Sequence, residues 1–225
     1  GGVLTAGYQR LIMDLDKVEK NARALVELAS EAGMGVTGVT KCSCGHPDVA
    51  RAMLRGGVDS LGESRVRNVE RMRRAGIDSE IVLIRTPMLS EAAEVVQLAD
   101  CSLNSEISVV RALSSQCERQ GRSHKIIIML ERGELREGVV ESELDAFVRE
   151  CLELPGIKIE GLGMNLACLS GVVPTAEKDG EFVDTARRLE ETHGLKFKVL
   201  GGGNSANIPL LLEKREAAGI NNLRL

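Results

Sequence analysis

Short apolar, β-branched runs alternate along this chain with longer stretches whose apolar residues recur every three or four positions. The short runs predict strands at 11–14 (LIMD), 36–40 (VTGVT), 58–61 (VDSL), 81–84 (IVLI), 100–103 (DCSL), 125–130 (KIIIML), 157–163 (IKIEGLG), 196–200 (KFKVL) and 222–225 (NLRL). Between them, Val18, Ala22, Leu25, Val26 and Ala29 form one apolar stripe at helical spacing, and Val110, Leu113 and Cys117 form another. Val66, Val69 and Met72 form a third, with Arg71, Arg73 and Arg74 as its solvated face. Strands that alternate with amphipathic helices build parallel βαβ units, because a parallel neighbour is reached only through a long crossover. Nine stretches are one too many for a closed eight-stranded barrel. The expectation is therefore an α/β fold, a (β/α)8 TIM barrel with 11–14 outside it and barrel strands from about 36 to 225. Residues 1–225 form a single domain, with no repeat or Pro/Gly linker to divide them.

With no Trp, three Phe and one Tyr in 225 residues, the core of such a barrel must be aliphatic. The net charge of −4 is spread over interspersed residues of both signs, with no basic cluster, which argues against a nucleic-acid partner. No apolar run approaches a membrane span, and the N-terminal GGVLTAGYQR lacks a charged start followed by an apolar stretch. A cytoplasmic protein without membrane contact is the expectation. Six cysteines spread through a large α/β chain argue for reduced thiols rather than a disulfide framework. Cys42 and Cys44 stand one residue apart with no matching Cys/His pair nearby, so no metal centre is expected.

The barrel reading gives meaning to two odd segments. In GVTKCSCG, Lys41 ends the first barrel strand; GGGNS, Gly201 to Ser205, follows the seventh. Both then lie at the C-terminal mouth, where such barrels carry their chemistry. A lysine after a strand is in most cases a solvated charge. Partly desolvated at a mouth, its charged form is disfavoured and the free amine can attack a carbonyl. GGGNS is either a tight strand-to-helix turn or a phosphate cradle, in which glycine N–H groups and the Ser205 hydroxyl approach an anion. Arg132 and Arg136 in MLERGELREG, and Asn165 and Cys168 in GMNLACLSG, follow further strands and are by themselves ordinary loop polarity. His46 and His124 have no nucleophile and acid beside them, so a hydrolytic triad is not supported.

In order, LIMDLDKVEKNA, GVTKCSCG, GGVDSLGESRVRNVERMRRAGI, RTPMLSE, LNSE, LREG, MNLAC, GGGNS and NNLRL resemble the alanine racemase-like (fold type III) family of pyridoxal-phosphate enzymes, closest to its ornithine racemase branch. The resemblance implies pyridoxal 5'-phosphate held as a Schiff base by Lys41, which is also a catalytic base. It implies a phosphate site at Gly202, Gly203, Asn204 and Ser205, Asn165 packed on the pyridine ring, and Arg136 near the phenolic oxygen. Arg224 would face the pyridine nitrogen and disfavour its protonation, which limits the ring as an electron sink and suits racemisation. It further implies a homodimer acting on a small amino acid: ornithine, lysine or alanine.

Two departures stand out. Gly45 occupies the place of a phosphate-binding tyrosine four residues after the lysine, and a C-terminal β domain of the family is absent from this chain. In alanine racemases that domain supplies a tyrosine as second base. Tyr8 is the one tyrosine here, so a cysteine or a segment outside this sequence would have to serve. Two rival readings stand beside it: a single-domain PLP-carrier protein without racemase activity, which needs no second base, and a lysine Schiff-base aldolase without PLP, which the phosphate cradle and Arg224 weaken.

Overall fold

The computed structural model describes residues 12–168, 171–213 and 219–225. Among them eight parallel strands close a barrel in chain order: β1 (Gly35–Val39), β2 (Ser60–Glu63), β3 (Ile81–Leu83), β4 (Cys101–Asn104), β5 (His124–Met129), β6 (Ile157–Gly163), β7 (Val199–Gly201) and β8 (Asn222–Arg224). Helices alternate with them: α1 (Leu15–Glu31), α2 (Pro47–Arg55), α3 (Val66–Arg74), α4 (Ala92–Leu98), α5 (Ile107–Gln120), α6 (Glu141–Glu153), α7 (Ala176–His193) and α8 (Ile208–Leu212). The barrel closes where β1 meets β8, with Gly35 opposite Asn222 and Thr37 opposite Arg224. No helix of the described residues is long and apolar enough to cross a membrane.

Eight of the nine expected strands form, with shifted ends. The second barrel strand starts at Ser60 rather than Val58, because the Asp59 carboxylate accepts the Val36 N–H at 2.7 Å and turns the chain there. The seventh starts at Val199 rather than Lys196, because Glu190 at the end of α7 takes the Phe197 N–H at 2.7 Å. Of the stretch 11–14, Leu11 lies outside the described residues. Ile12, Met13 and Asp14 carry no strand; Asp14 caps α1 instead, its carboxylate accepting the Lys17 N–H. A capping carboxylate satisfies an otherwise orphaned helix donor, so a short apolar run ending in Asp before a periodic segment is a helix start.

The aliphatic core has two parts. Between barrel and helices lie the residues of the predicted stripes, including Ala22, Ala29, Val66, Val69, Met72, Val110, Leu113 and Cys117. Inside the barrel, Val82, Cys101, Leu103, Ile127 and Met129 form a smaller cluster. All three phenylalanines are buried. Arg73 departs from the solvated face expected of it. Its guanidinium donates to the carbonyls of Leu98 (2.9 Å), Ile77 (2.8 Å) and Ser79 (2.9 Å) and pairs with Asp100, so it ties the β3 approach to the end of α4. Arg74 pairs with Glu70 on the surface, as a solvated face should.

Asp179, one turn into α7, is buried, and its Oδ1 meets no hydrogen-bond partner among the described residues. Burial pushes its carboxyl up from 3.8 to about 6. A folded value above the unfolded one means that its contribution to stability is fully present below pH 3.8 and is lost as pH rises through 6. Asp179→Asn is therefore expected to stabilise the protein at pH 8, by on the order of 2 kcal/mol. Urea denaturation at pH 8 and pH 4 checks this; an equal effect at both pH values would show that charge is not the cause.

Candidate active site

The C-terminal ends of five neighbouring strands, β5, β6, β7, β8 and β1, bring the expected site residues to one mouth. After β1 the chain makes a tight turn over Lys41–Ser43. Thr40, fully buried, anchors it: its N–H donates to Gly62 O at 2.9 Å and its hydroxyl to Glu63 Oε2 at 2.9 Å. Glu63 is itself held by the N–H of Ser64 at 2.6 Å. The Ser43 hydroxyl and the N–H groups of Ser43 and Gly45 all return to Thr40 O. Lys41 thus stands on a rigid backbone, yet its side chain is exposed and makes no hydrogen bond or ion pair with the described residues. The desolvation expected of it is not supplied by these residues.

Gly45 has a clear reason to be glycine. It adopts φ +62°, and a Cβ there would come within 2.9 Å of both Asn68 Cβ and Asn68 O. No tyrosine fits at that position on this backbone.

Each glycine of the second segment answers a different demand. At Gly201 a Cβ would lie 2.6 Å from Arg224 Nη1, so glycine lets the arginine cross the mouth. At Gly202 it would meet Ile220 at 2.5 Å, and the Gly202 N–H is engaged by Asn222 O at 3.0 Å. Gly202 therefore does not offer the cradle N–H assigned to it from the sequence. Gly203 turns the chain with φ +125°, and a Cβ there would reach Asn207 Oδ1 at 2.8 Å, an atom buried without a partner among the described residues. Asn204 caps the turn Ser205–Asn207 by accepting the Ala206 N–H at 2.9 Å. The N–H groups of Gly203, Asn204 and Ser205 are not engaged by the described residues, and Ser205 is exposed. Three successive donors without a partner among the described residues, beside a floor that a Cβ would fill, suit the phosphate of pyridoxal 5'-phosphate.

Facing this turn, Arg224 is buried and runs inward from β8. Its Nη2 donates to Met164 O at 2.6 Å and to Asn165 Oδ1 at 2.8 Å. Burial lowers its guanidinium to about 10; Glu137 opposes that shift and Arg136 adds to it. Arg136, after β5, donates to Cys168 Sγ at 2.8 Å and pairs with Glu137. Burial works against its charge, and Glu137 and Cys168 outweigh burial, raising it above its ordinary value. Arg132, in contrast, pairs with Glu141 and Glu181 and ties the same loop to α6 and α7.

The remaining polar candidates are structural or peripheral. His46 caps α2 through Nδ1, and His124 lies buried with Nε2 2.8 Å from Ser102 Oγ. All six cysteines are free; Cys42, Cys44 and Cys168 are exposed and the other three buried. Tyr8 lies outside the described residues. A cleft of about 440 Å³ opens beside Arg136, and Arg85 and Glu106 line it after β3 and β4. Neither these two nor Glu137 was singled out from the sequence, where a charged residue after a strand carries no mark of the partner it meets.

Comparison with known proteins fits this geometry. The chain is 38% identical over 97% of its length to a lysine racemase of Thermotoga maritima, of which it covers 61%. It is 32% identical, again over 97%, to an ornithine racemase of Acetoanaerobium sticklandii, of which it covers 62%. It thus spans about three-fifths of the length of these curated relatives. Among solved structures, PipY of Synechococcus elongatus with PLP bound shares the fold at a TM-score of 0.74 and 20% identity, over 94% of this chain and 97% of that one. The family model described as the alanine racemase N-terminal domain matches residues 13–224, and the chain belongs to that family.

Proposed function

We propose that this chain is the cofactor-binding barrel of a PLP-dependent amino-acid racemase that acts on a small amino acid, with ornithine and lysine ahead of alanine. The observation that carries the reading is the meeting, at one barrel mouth, of a lysine and a glycine turn whose amine and N–H groups find no partner among the described residues, and of a buried arginine. The lysine and ornithine racemases, at 38% and 32% identity over 97% of this chain, support the substrate order. Six free thiols fit a cytoplasmic setting. Exposed Met88, Leu89, Leu135 and Val173 on loops that follow the strands fit a homodimer.

In this reading the N–H groups of Gly203, Asn204 and Ser205, with the Ser205 hydroxyl, hold the phosphate. Arg224 and Asn165 would meet the pyridine ring, and Arg136 the phenolic oxygen. Bound pyridoxal 5'-phosphate supplies a carbonyl for the Lys41 amine and an electron-accepting ring that eases loss of the Cα proton. Lys41 Nζ takes that proton on its own face. Arg224, cationic at neutral pH, would disfavour protonation of the pyridine nitrogen, which keeps the chemistry at Cα.

The test is incubation of the protein with pyridoxal 5'-phosphate and, separately, L-ornithine, L-lysine and L-alanine, followed by separation of enantiomers. Appearance of the D form supports the reading. Cofactor binding without turnover of any of the three would replace it with the carrier reading. Gly203→Ala is expected to weaken cofactor affinity roughly tenfold, since an L side chain at this φ costs about 1–3 kcal/mol. Titration of the cofactor absorbance measures it. Unchanged affinity would move the phosphate away from this turn.

A further inference from the structure

Two guanidiniums, Arg136 and Arg224, converge on the mouth from opposite sides of Asn165, and Glu137 is the carboxylate that links them. Glu137 pairs with Arg136 Nη2, and its Oε1 accepts from Asn165 Nδ2 at 3.3 Å. Asn165 Oδ1 accepts from Arg224 Nη2 at 2.8 Å. The far side of Arg136 donates to Cys168 Sγ at 2.8 Å. The contacts form one chain through Cys168, Arg136, Glu137, Asn165 and Arg224, drawn from the ends of β5, β6 and β8.

We propose that Glu137 is the positioning residue of this mouth: its one carboxylate aligns Arg136 and, through Asn165, Arg224, and it is the counter-charge that both guanidiniums share. An amide between a carboxylate and a guanidinium has one satisfactory orientation, NH2 toward the first and oxygen toward the second. Glu137 therefore determines how Asn165 faces Arg224. An ion pair between sequence neighbours on an open surface is worth little. This one differs because the Glu137 side chain is only 16% exposed and is shared with buried Asn165. Arg224 forms no ion pair among the described residues, and the nearby charge of Glu137 is the largest influence that opposes the effect of burial on it.

The inference rests on the proposed racemase for one arm of its test and is independent of it for the other. In cofactor-free protein, alkylation of Cys168 by iodoacetamide is followed by peptide mass spectrometry, with exposed Cys42 and Cys44 as internal references. Glu137→Gln keeps an acceptor oxygen for Arg136 and Asn165 but removes the charge. The positive field of Arg136 then falls uncompensated on Cys168 and favours its thiolate, so Cys168 is alkylated several-fold faster relative to the references. In the second arm, at saturating pyridoxal 5'-phosphate, Glu137→Gln keeps racemisation within about tenfold of the parent. Glu137→Ala, which loses the alignment, lowers kcat about a hundredfold with little change in KM, the scale of a misplaced group. Equal relative alkylation of Cys168 in parent and Gln variant would overturn the counter-charge, and equal activities of the Gln and Ala variants would overturn the positioning. If the parent protein itself racemises nothing, the racemase reading fails, and the alkylation arm still decides whether Glu137 governs Arg136.

Discussion

Lys41→Ala is expected to leave the barrel folded while slowing the proposed racemisation on the order of 10³-fold, within the range of a lost acid–base group. The side chain is exposed and contacts no described partner, so its removal takes nothing from the core, and exposed substitutions of this kind stay within about 0.5 kcal/mol in stability. What goes is the amine and its exposed aliphatic stem. Its backbone stays in place, because the turn is held by Thr40 and Glu63 rather than by the lysine. Three measurements separate the outcomes: thermal melting of the variant, enantiomer analysis at saturating cofactor, and peptide mapping of the parent after borohydride reduction. The expected map shows a pyridoxyl group on Lys41. A pyridoxyl group on any other lysine, or a variant that racemises at the parental rate, would remove Lys41 from the chemistry. Added methylamine is expected to restore part of the activity, since a small amine can enter an open mouth and replace the missing group.

The second large effect is on stability in acid. His124 begins β5 almost fully buried, with Ser102 Oγ at 2.8 Å from Nε2 and a hydrogen bond to the Ala99 backbone. Burial lowers its imidazole from 6.5 to about 4, against the weaker opposing effects of Asp100 and the Ala99 contact. The folded value lies below the unfolded one, so the unfolded chain binds this proton first. The contribution of neutral His124 is fully present above pH 6.5 and is lost as pH falls through 4. The difference corresponds to about 3 kcal/mol. Asp179 works in the opposite direction over nearly the same window, because it gains its proton more readily in the folded state. The parent protein should therefore show a shallow pH dependence between 4 and 7, and each single variant should unmask the other group. His124→Asn is expected to become more stable at pH 4 than at pH 7, and Asp179→Asn to lose about 3 kcal/mol over the same descent. Urea midpoints across this range measure both. Parallel curves for parent and His124→Asn would show that His124 does not titrate as its burial requires.

The origin of these effects marks the boundary of what could be read before folding. His124 was visible only as a histidine without catalytic neighbours; its partner Ser102 is 22 residues away and meets it only because β4 and β5 pair. Arg73 belongs to a run of arginines that looks solvated. Its three carbonyl acceptors come from the β3 approach and the end of α4, and nothing local announces them. Glu137, next to Arg136 in the chain, reads as loop charge until β6 brings Asn165 alongside.

By itself, the sequence determined the alternation of strands and helices, the aliphatic core, and the placement of Lys41 and the glycine turn at strand ends. These depend on periodicity and on glycine's lack of a side chain, which are properties of neighbouring residues. It also carried the family, through an ordered set of short motifs, and the match to the alanine racemase N-terminal domain runs over residues 13–224. Tertiary structure alone decided which polar groups engage each other. It took the Gly202 N–H out of the cradle, made Asp14 a helix cap, and joined Arg136 to Arg224 through Glu137 and Asn165. The reason is physical: hydrogen bonds and charge interactions depend on distances of a few ångströms between residues that barrel closure brings together, and no local pattern encodes those distances.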